Sequence, residues 1–193
     1  MLKKLFIAAL LTTFGTFVYA SGLSNKSDDM ENAVRSLHSK DVGVRADARR
    51  ALCKIAKESE RDKSRIVFEV TEMLQDPALL NTVGGSGVWF DCAYLLGDLR
   101  AEEAMDVLVE HLDYTDGMGF ALGHYPAAWA LADIGKPAVP KLKQALLWNP
   151  NPKIRENAAR ALMKIGGEDA REALDSALKS ETDEIVLFYI RKQ

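Results

Sequence analysis

Apolar positions recur at helical spacing along this chain, in stretches that come in twos. Val44, Ala48, Ala51, Leu52 and Ile55 stand at i, i+4, i+7, i+8 and i+11, which sets one apolar stripe on one helix. The line then repeats itself. Val44-Arg45-Ala46-Asp47-Ala48-Arg49-Arg50-Ala51-Leu52-Cys53-Lys54-Ile55-Ala56 matches Ile154-Arg155-Glu156-Asn157-Ala158-Ala159-Arg160-Ala161-Leu162-Met163-Lys164-Ile165-Gly166. Ala127 to Gly135 keeps the same alanine, leucine and isoleucine skeleton, and Cys92 to Leu99 is a looser copy. The matched leucines, Leu52, Leu96, Leu131 and Leu162, are 44, 35 and 31 residues apart. Periods of that size predict stacked helical pairs rather than helices around one closed centre. A second amphipathic stretch follows each copy: Ile66–Leu74, Ala104–Leu112, Val139–Leu147 and Ala170–Leu178.

The punctuation agrees. Gly135 and Gly166 follow the last apolar residue of their stripes, where a helix stop favours glycine. Pro137 and Pro140 open the second helix of the third pair, and a first turn tolerates proline. Asp28–Ser39 reads as a lone amphipathic helix at one end. At the other, Ile185 lies 31 residues after Ile154 and restarts the repeat. The six apolar residues Ile185 to Ile190 predict a helix that covers the last pair, with a partner contact as the alternative.

Three segments carry a family resemblance: Ile-Arg-x-x-Ala-x-x-Ala-Leu-x-x-Ile-Gly at 154–166, Ile-Gly-Lys-Pro-Ala-Val-Pro-x-Leu at 134–142 and Gly-Gly-Glu-Asp-Ala at 166–170. They resemble the HEAT-like repeats of the phycobilisome-lyase type, over roughly residues 41–190. The resemblance implies an all-α fold, an α-solenoid of about four helical pairs with capping half-repeats. It also implies a binding scaffold, the role of most members, with enzymes or enzyme partners as a minority. Repeat two departs most, with Trp89 and Cys92 where repeat one has Arg45 and Ala48.

The first twenty residues read differently. Lys3 and Lys4 precede the uncharged, mostly apolar Leu5–Tyr19, and Ala20/Ser21 offers a cut. That is the pattern of a secretory signal peptide over 1–20, and it predicts a periplasmic or secreted protein with a single solenoid domain at 21–193. The apolar run is shorter than the ~20 residues that span a bilayer, so no stable membrane insertion is expected after cleavage. The whole chain of 193 residues carries a net charge of −3. Removal of the two leader lysines leaves 23 bases against 28 acids, which argues against a nucleic-acid partner.

Eight aromatic residues cluster between 89 and 148, with His111 and His124 among them. Two glycine-bearing loops, 77–87 and 113–124, connect one helical pair to the next and so share an edge of the stack. Trp89, Phe90, His124 and Tyr125 stand at helix starts beside those loops and are the candidate partner-binding residues. Tyr94 and Trp129 sit inside repeat helices and are expected in the core.

No chemistry is legible beside this. Asp113-Tyr-Thr-Asp116-Gly117 lacks the alternating oxygens and closing glutamate of a calcium loop. No His-Glu-x-x-His zinc motif, Gly-x-Ser-x-Gly elbow or phosphate-cradling Gly-x-x-x-x-Gly-Lys loop occurs, so no catalytic residue, metal or cofactor is assigned. Cys53 aligns with Gly97 rather than Cys92, five helical positions off. With ~1.5 Å of rise per residue and ~8–10 Å between packed helices, the thiols fall beyond the ~7 Å reach of a disulfide. Charge is banded: residues 35–65 net +5, 91–116 net −7, and 134–155 five bases with no acid. The expectation is a non-enzymatic exported scaffold for a protein or peptide partner. A lyase-like or chromophore-handling accessory and a DNA-repair-type nucleic-acid module are the alternatives.

Overall fold

The computed structural model describes residues 26–80, 85–115 and 121–192. The leader expected over 1–20 lies outside them. Among the described residues the chain is helical throughout, with no strand. Helix α1 covers 26–36. It is followed by α2 (Val42–Glu58), α3 (Glu60–Leu74), the short α4 (Pro77–Leu80), α5 (Gly85–Asp98), α6 (Met105–Glu110) and α7 (Pro126–Ile134). Then come α8 (Val139–Trp148), α9 (Pro152–Ile165), α10 (Gly167–Ala177) and α11 (Glu184–Ile190).

The helices lie in two layers. First helices of successive pairs pack side by side, α2 on α5, α5 on α7, α7 on α9 and α9 on α11. Second helices α3, α6, α8 and α10 back onto them, with α8 touching both α6 and α10. Helix α1 is tied to the end of α2 by Lys26 and Glu58 at 3.0 Å and to α3 by Glu31 and Arg65 at 3.2 Å. The structure is the paired-helix solenoid that the repeat line required. Each pair leaves an apolar face that only its neighbour buries.

The matched leucines are its spine. Leu52, Leu96, Leu131 and Leu162 are each fully buried. Small residues set the spacing: a Cβ built on Gly97 of α5 would stand 2.9 Å from Ala130 Cα, so α7 approaches as closely as a bare backbone allows. Gly135 and Gly166 end α7 and α9 with φ of 85° and 67°. Four residues past Leu96, the same place is held by Arg100, which takes φ 51° without being glycine.

One repeat position recurs as a joint. Arg45 donates to the carbonyls of Ser39 and Lys40 and to Asp91 Oδ2 at 2.6 Å. Arg155, its match, donates to the carbonyls of Asn149 and Pro150 and binds Glu181 through two nitrogens, at 2.8 and 3.0 Å. Each guanidinium fastens the turn before its own helix to a carboxylate of the next repeat, with bidentate geometry at Glu181.

The structure corrects the expectation in three places. Val44 and Ala51 are exposed, and α2 buries Arg45, Ala48, Leu52 and Ala56 instead. Their counterparts Ile154 and Ala161 are buried in α9, which packs between α7 and α11, whereas α2 packs on one such neighbour, α5. Ile185 is not the equivalent of Ile154. Asp183 caps α11 as Asn151 caps α9, a spacing of 32 residues, so Val186 takes the buried place and Ile185 stays 59% exposed. The loop expected over 77–87 is shorter: Pro77–Leu80 is a helical turn and Gly85 to Gly87 already belong to α5.

Candidate functional site

Two positions before each matched leucine, a helix turns its side chain away from the core. Those residues are Arg50, Tyr94, Trp129 and Arg160, and four positions further back stand Ala46, Phe90, Tyr125 and Glu156. Stacking the repeats brings them into adjacent rows on the outer face of the first-helix layer. Phe90 and Tyr94 ring centroids are 6.1 Å apart, and Tyr94 and Trp129 6.4 Å, edge to face. Cations close the row at both ends: the Arg49 guanidinium is 5.6 Å from the Tyr94 ring, and Lys164 Nζ is 4.4 Å from that of Trp129. Tyr94 is held in place by donating its hydroxyl to the Gly123 carbonyl.

The face continues across α9 to α11. Arg160 is stacked between Tyr125 at 4.7 Å and Tyr189 at 5.0 Å, while Lys153 Nζ lies 4.7 Å from Tyr125. Burial pulls the Lys153 ammonium down, but hydrogen bonding with Tyr125 and Glu156 outweighs it and leaves the group raised. Glu156 is 5% exposed and is matched by Lys153 at 2.9 Å and Arg160 at 3.4 Å. Asn157 bridges to the Leu112 carbonyl at 2.8 Å. Acid partners also interleave in the row. Asp98 faces Arg49 at 3.4 Å and Asp133 faces Lys164 at 3.0 Å. Burial raises the Asp98 carboxyl, Arg49 opposes this, and Asp133 adds to the rise.

The four candidate residues divide. Trp89 is fully buried, donates Nε1–H to the Leu74 carbonyl at 3.2 Å, and packs on Tyr114 and His111. It stands seven residues before Leu96 and so shares its inward face. Tyr125 is 3% exposed, covered by Arg160 and Lys153 of the next repeat. Neither is an edge residue. Phe90 and His124 are half-buried, Phe90 on the row and His124 in the turn before α7. Conversely Tyr94 and Trp129, expected in the core, are half-buried on the outer face. The repeat alignment held the signal for them, in the offset of two from the matched leucine.

Other features are plainer. Of the metal-ligating residue types around the second loop, Asp113 accepts from Asn151 at 2.8 Å, and Asp116 lies outside the described residues. Among the described residues no group of three or more such ligands converges. Cys53 and Cys92 are free. Burial pushes both thiols up, Asp91 adding at Cys92 and Asp98 at Cys53. The charge bands pair with each other across repeats, Arg45 with Asp91 and Lys141 with Asp106. A charged cavity of about 620 Å³ opens at the turns within repeats three and four, between the Lys164–Asp133 and Lys136–Asp169 pairs. On the opposite edge Trp148 is 73% exposed beside a groove of about 320 Å³.

The family model for HEAT repeats matches residues 125–188. Epoxyqueuosine reductase of Listeria monocytogenes is 52% identical over 52 residues, which is 27% of this chain and 14% of the reductase. A crystal structure of an engineered protein is 26% identical over 84% of this chain and 46% of that one, with a TM-score of 0.40. Human deoxyhypusine hydroxylase in complex with glycerol is 13% identical over 89% of this chain and 96% of that one, with a TM-score of 0.29. The chain therefore spans less than half the length of the reductase and of the engineered protein. Residues 125–188 therefore match the HEAT-repeat family, and the matched leucines and joint arginines continue the same register into the helical pairs before them.

Proposed function

We propose that this chain is an exported, non-catalytic scaffold that holds a protein or peptide partner against the outer face of its first-helix layer. The row Phe90, Tyr94 and Trp129, half-buried and clamped by Arg49 and Lys164, carries the reading. Aromatic rings held by neighbouring side chains offer large contact area with little rotamer freedom left to lose, which suits them to a binding surface. Partner recognition thus moves from the loop edge of repeats two and three onto the helix face beside it, with Phe90 and His124 at the boundary.

The test is crosslinking in the native cell envelope, followed by identification of the captured protein. The Tyr94→Ala/Trp129→Ala double variant loses the captured species while keeping its far-UV circular dichroism. Undiminished capture defeats the reading, as does loss of capture only together with loss of helix. Export is checked by fractionation and by a mature N-terminus at Ser21.

A second reading has one support, the 52-residue likeness to epoxyqueuosine reductase. In it the repeats serve an enzymatic or chromophore-handling assembly rather than a purely structural one. Turnover by the purified protein, or visible absorbance that copurifies with it, selects this reading over the first.

A further inference from the structure

Among the described residues the solenoid has half a pair at each end. Helix α1 runs along α3 in the same direction, Lys26 beside Asp62 at 3.8 Å and Glu31 beside Arg65 at 3.2 Å. Second helices of successive pairs run that way, as α8 does along α10 through Lys136–Asp169 and Lys143–Glu172. So α1 stands where a second helix stands. At the other end α11, a first helix packed on α9, is followed by no second helix among the described residues. The flanks open at these ends are the ones that repeats cover elsewhere. On α2 they hold Val44, Asp47 and Ala51, all exposed, whose counterparts Ile154, Asn157 and Ala161 are buried in α9. On α11, the 32-residue register of the caps matches Phe188 to Glu156, and so to Tyr125. Phe188 is 52% exposed where Tyr125 is 3% exposed. The same register matches exposed Arg191 to Ala159, and so to Arg49.

We propose that a second copy of this chain docks here head to tail, α11 of one copy on α2 of the next, so that α11 and the neighbour's α1 complete one helical pair. The junction continues the interface that already joins the repeats, and two contacts inside the chain fix its register. Arg49 of α2 reaches Asp91 of α5 at 3.6 Å, and across the junction the same two places are held by Arg191 of one copy and Asp47 of the next. Arg160 of α9 covers the Tyr125 ring at 4.7 Å, and the same two places are held by Arg50 of one copy and Phe188 of the other. Within one copy Asp47 and Arg50 pair with each other across one turn, both well exposed, an arrangement worth little in water and open to exchange. Asp183 and Glu184 lie at the start of α11, with Asp183 accepting from the backbone N–H groups of Ile185 and Val186, while Arg191 follows its last turn. Because the contact joins unlike surfaces, it builds an open row rather than a closed dimer. The outer face stays free in such a row and lengthens with each copy.

Sedimentation velocity of the purified full chain over a concentration series reads the association. The weight-average sedimentation coefficient is expected to rise with concentration past that of a dimer. Asp47→Arg and Arg191→Asp each weaken association by at least about tenfold, and their combination in one chain restores it. Phe188→Ala weakens it as well, all with unchanged circular dichroism. A crosslink checks the register. In a Cys53→Ser background, an Asp47→Cys chain mixed with an Arg191→Cys chain forms a disulfide-linked pair under mild oxidation that neither forms alone. A chain that stays monomeric at every concentration overturns the proposal, whether α2 is left bare or is covered by residues 1–25 of the same chain. So does association that stops at a dimer, which marks a two-fold contact. Association indifferent to both charge variants, or not restored by their combination, overturns it too.

Discussion

Replacing Arg155 by methionine tests whether the recurring arginine is the joint between repeats. The guanidinium makes four hydrogen bonds, two to Glu181 at 2.8 and 3.0 Å and two to the carbonyls of Asn149 and Pro150 at 3.0 and 3.2 Å. Its side chain is 16% exposed and that of Glu181 5% exposed, so the pair is nearly dry. Removing one partner of a buried pair costs about 3–5 kcal/mol. Two effects reduce this. Glu181 keeps the backbone N–H groups of Thr182 and Asp183, each at 2.9 Å, and the guanidinium retains some solvent. The expected loss is therefore about 2–3 kcal/mol. Because contacts in a solenoid are between neighbours, the loss falls on the α9–α11 end. Urea unfolding followed by circular dichroism reads the magnitude, and amide hydrogen exchange reads the place, with α11 losing protection before α2 and α3.

The pH dependence has a definite sign. Burial raises the Glu181 carboxyl, but Arg155 and the two backbone N–H groups outweigh it, so the folded value lies below the usual carboxylate range. A depressed carboxylate contributes stability that is fully present above its unfolded value and is lost as pH falls through the folded one. The gap between wild type and Arg155→Met should therefore be widest at neutral pH and close in acid. Lys136→Met, at the exposed Lys136–Asp169 pair, is the control and should leave the transition unmoved. An Arg155→Met protein as stable as wild type, or exchange that rises evenly along the chain, would refute the joint.

The remaining predictions address packing, backbone and thiols. Gly97→Ala, which sets a Cβ 2.9 Å from the Ala130 backbone, should lower stability by about 1–2 kcal/mol in urea unfolding despite alanine's better helix propensity; a gain would show that α5 and α7 have room to spare. Arg100→Gly removes a side chain from φ 51° and should raise the thermal midpoint, with up to about 1 kcal/mol gained; a fall would mean that the arginine holds the turn by other contacts. Trp89→Ala should cost about 3–5 kcal/mol in the same urea experiment, and Trp129→Ala far less, since only the first ring is fully buried. Cys92 should resist iodoacetamide in the native protein while half-buried Cys53 reacts slowly, and both should alkylate after denaturation without reductant; a blocked pair would reveal a disulfide.

Repetition made the fold legible. The alanine–leucine line states which residues face inward, and because each repeat meets only its neighbours, matched positions imply matched surroundings wherever both neighbours exist. That is why Leu52, Leu96, Leu131 and Leu162 all lie in the core. It is also why the reading slipped on α2 and α11. Periodicity assigns a face to each residue but not an occupant to that face, so Val44 and Ile185 looked like Ile154 and are open. The candidate surface was less legible for a related reason. Aromatic residues serve core and surface alike, and which way a ring points depends on helix starts and on what the next repeat lays over it. The start of α5 at Gly85 turned Trp89 inward, and Lys153 and Arg160, reaching over from α9, closed over Tyr125. Sequence by itself determined the stacked pairs, their order and their buried spine, since those follow from local spacing. Only the tertiary structure decided that Tyr94 and Trp129 line up with cations into one face, because Arg49, Tyr94, Trp129 and Lys164 meet across more than thirty positions through contacts that no single helix contains.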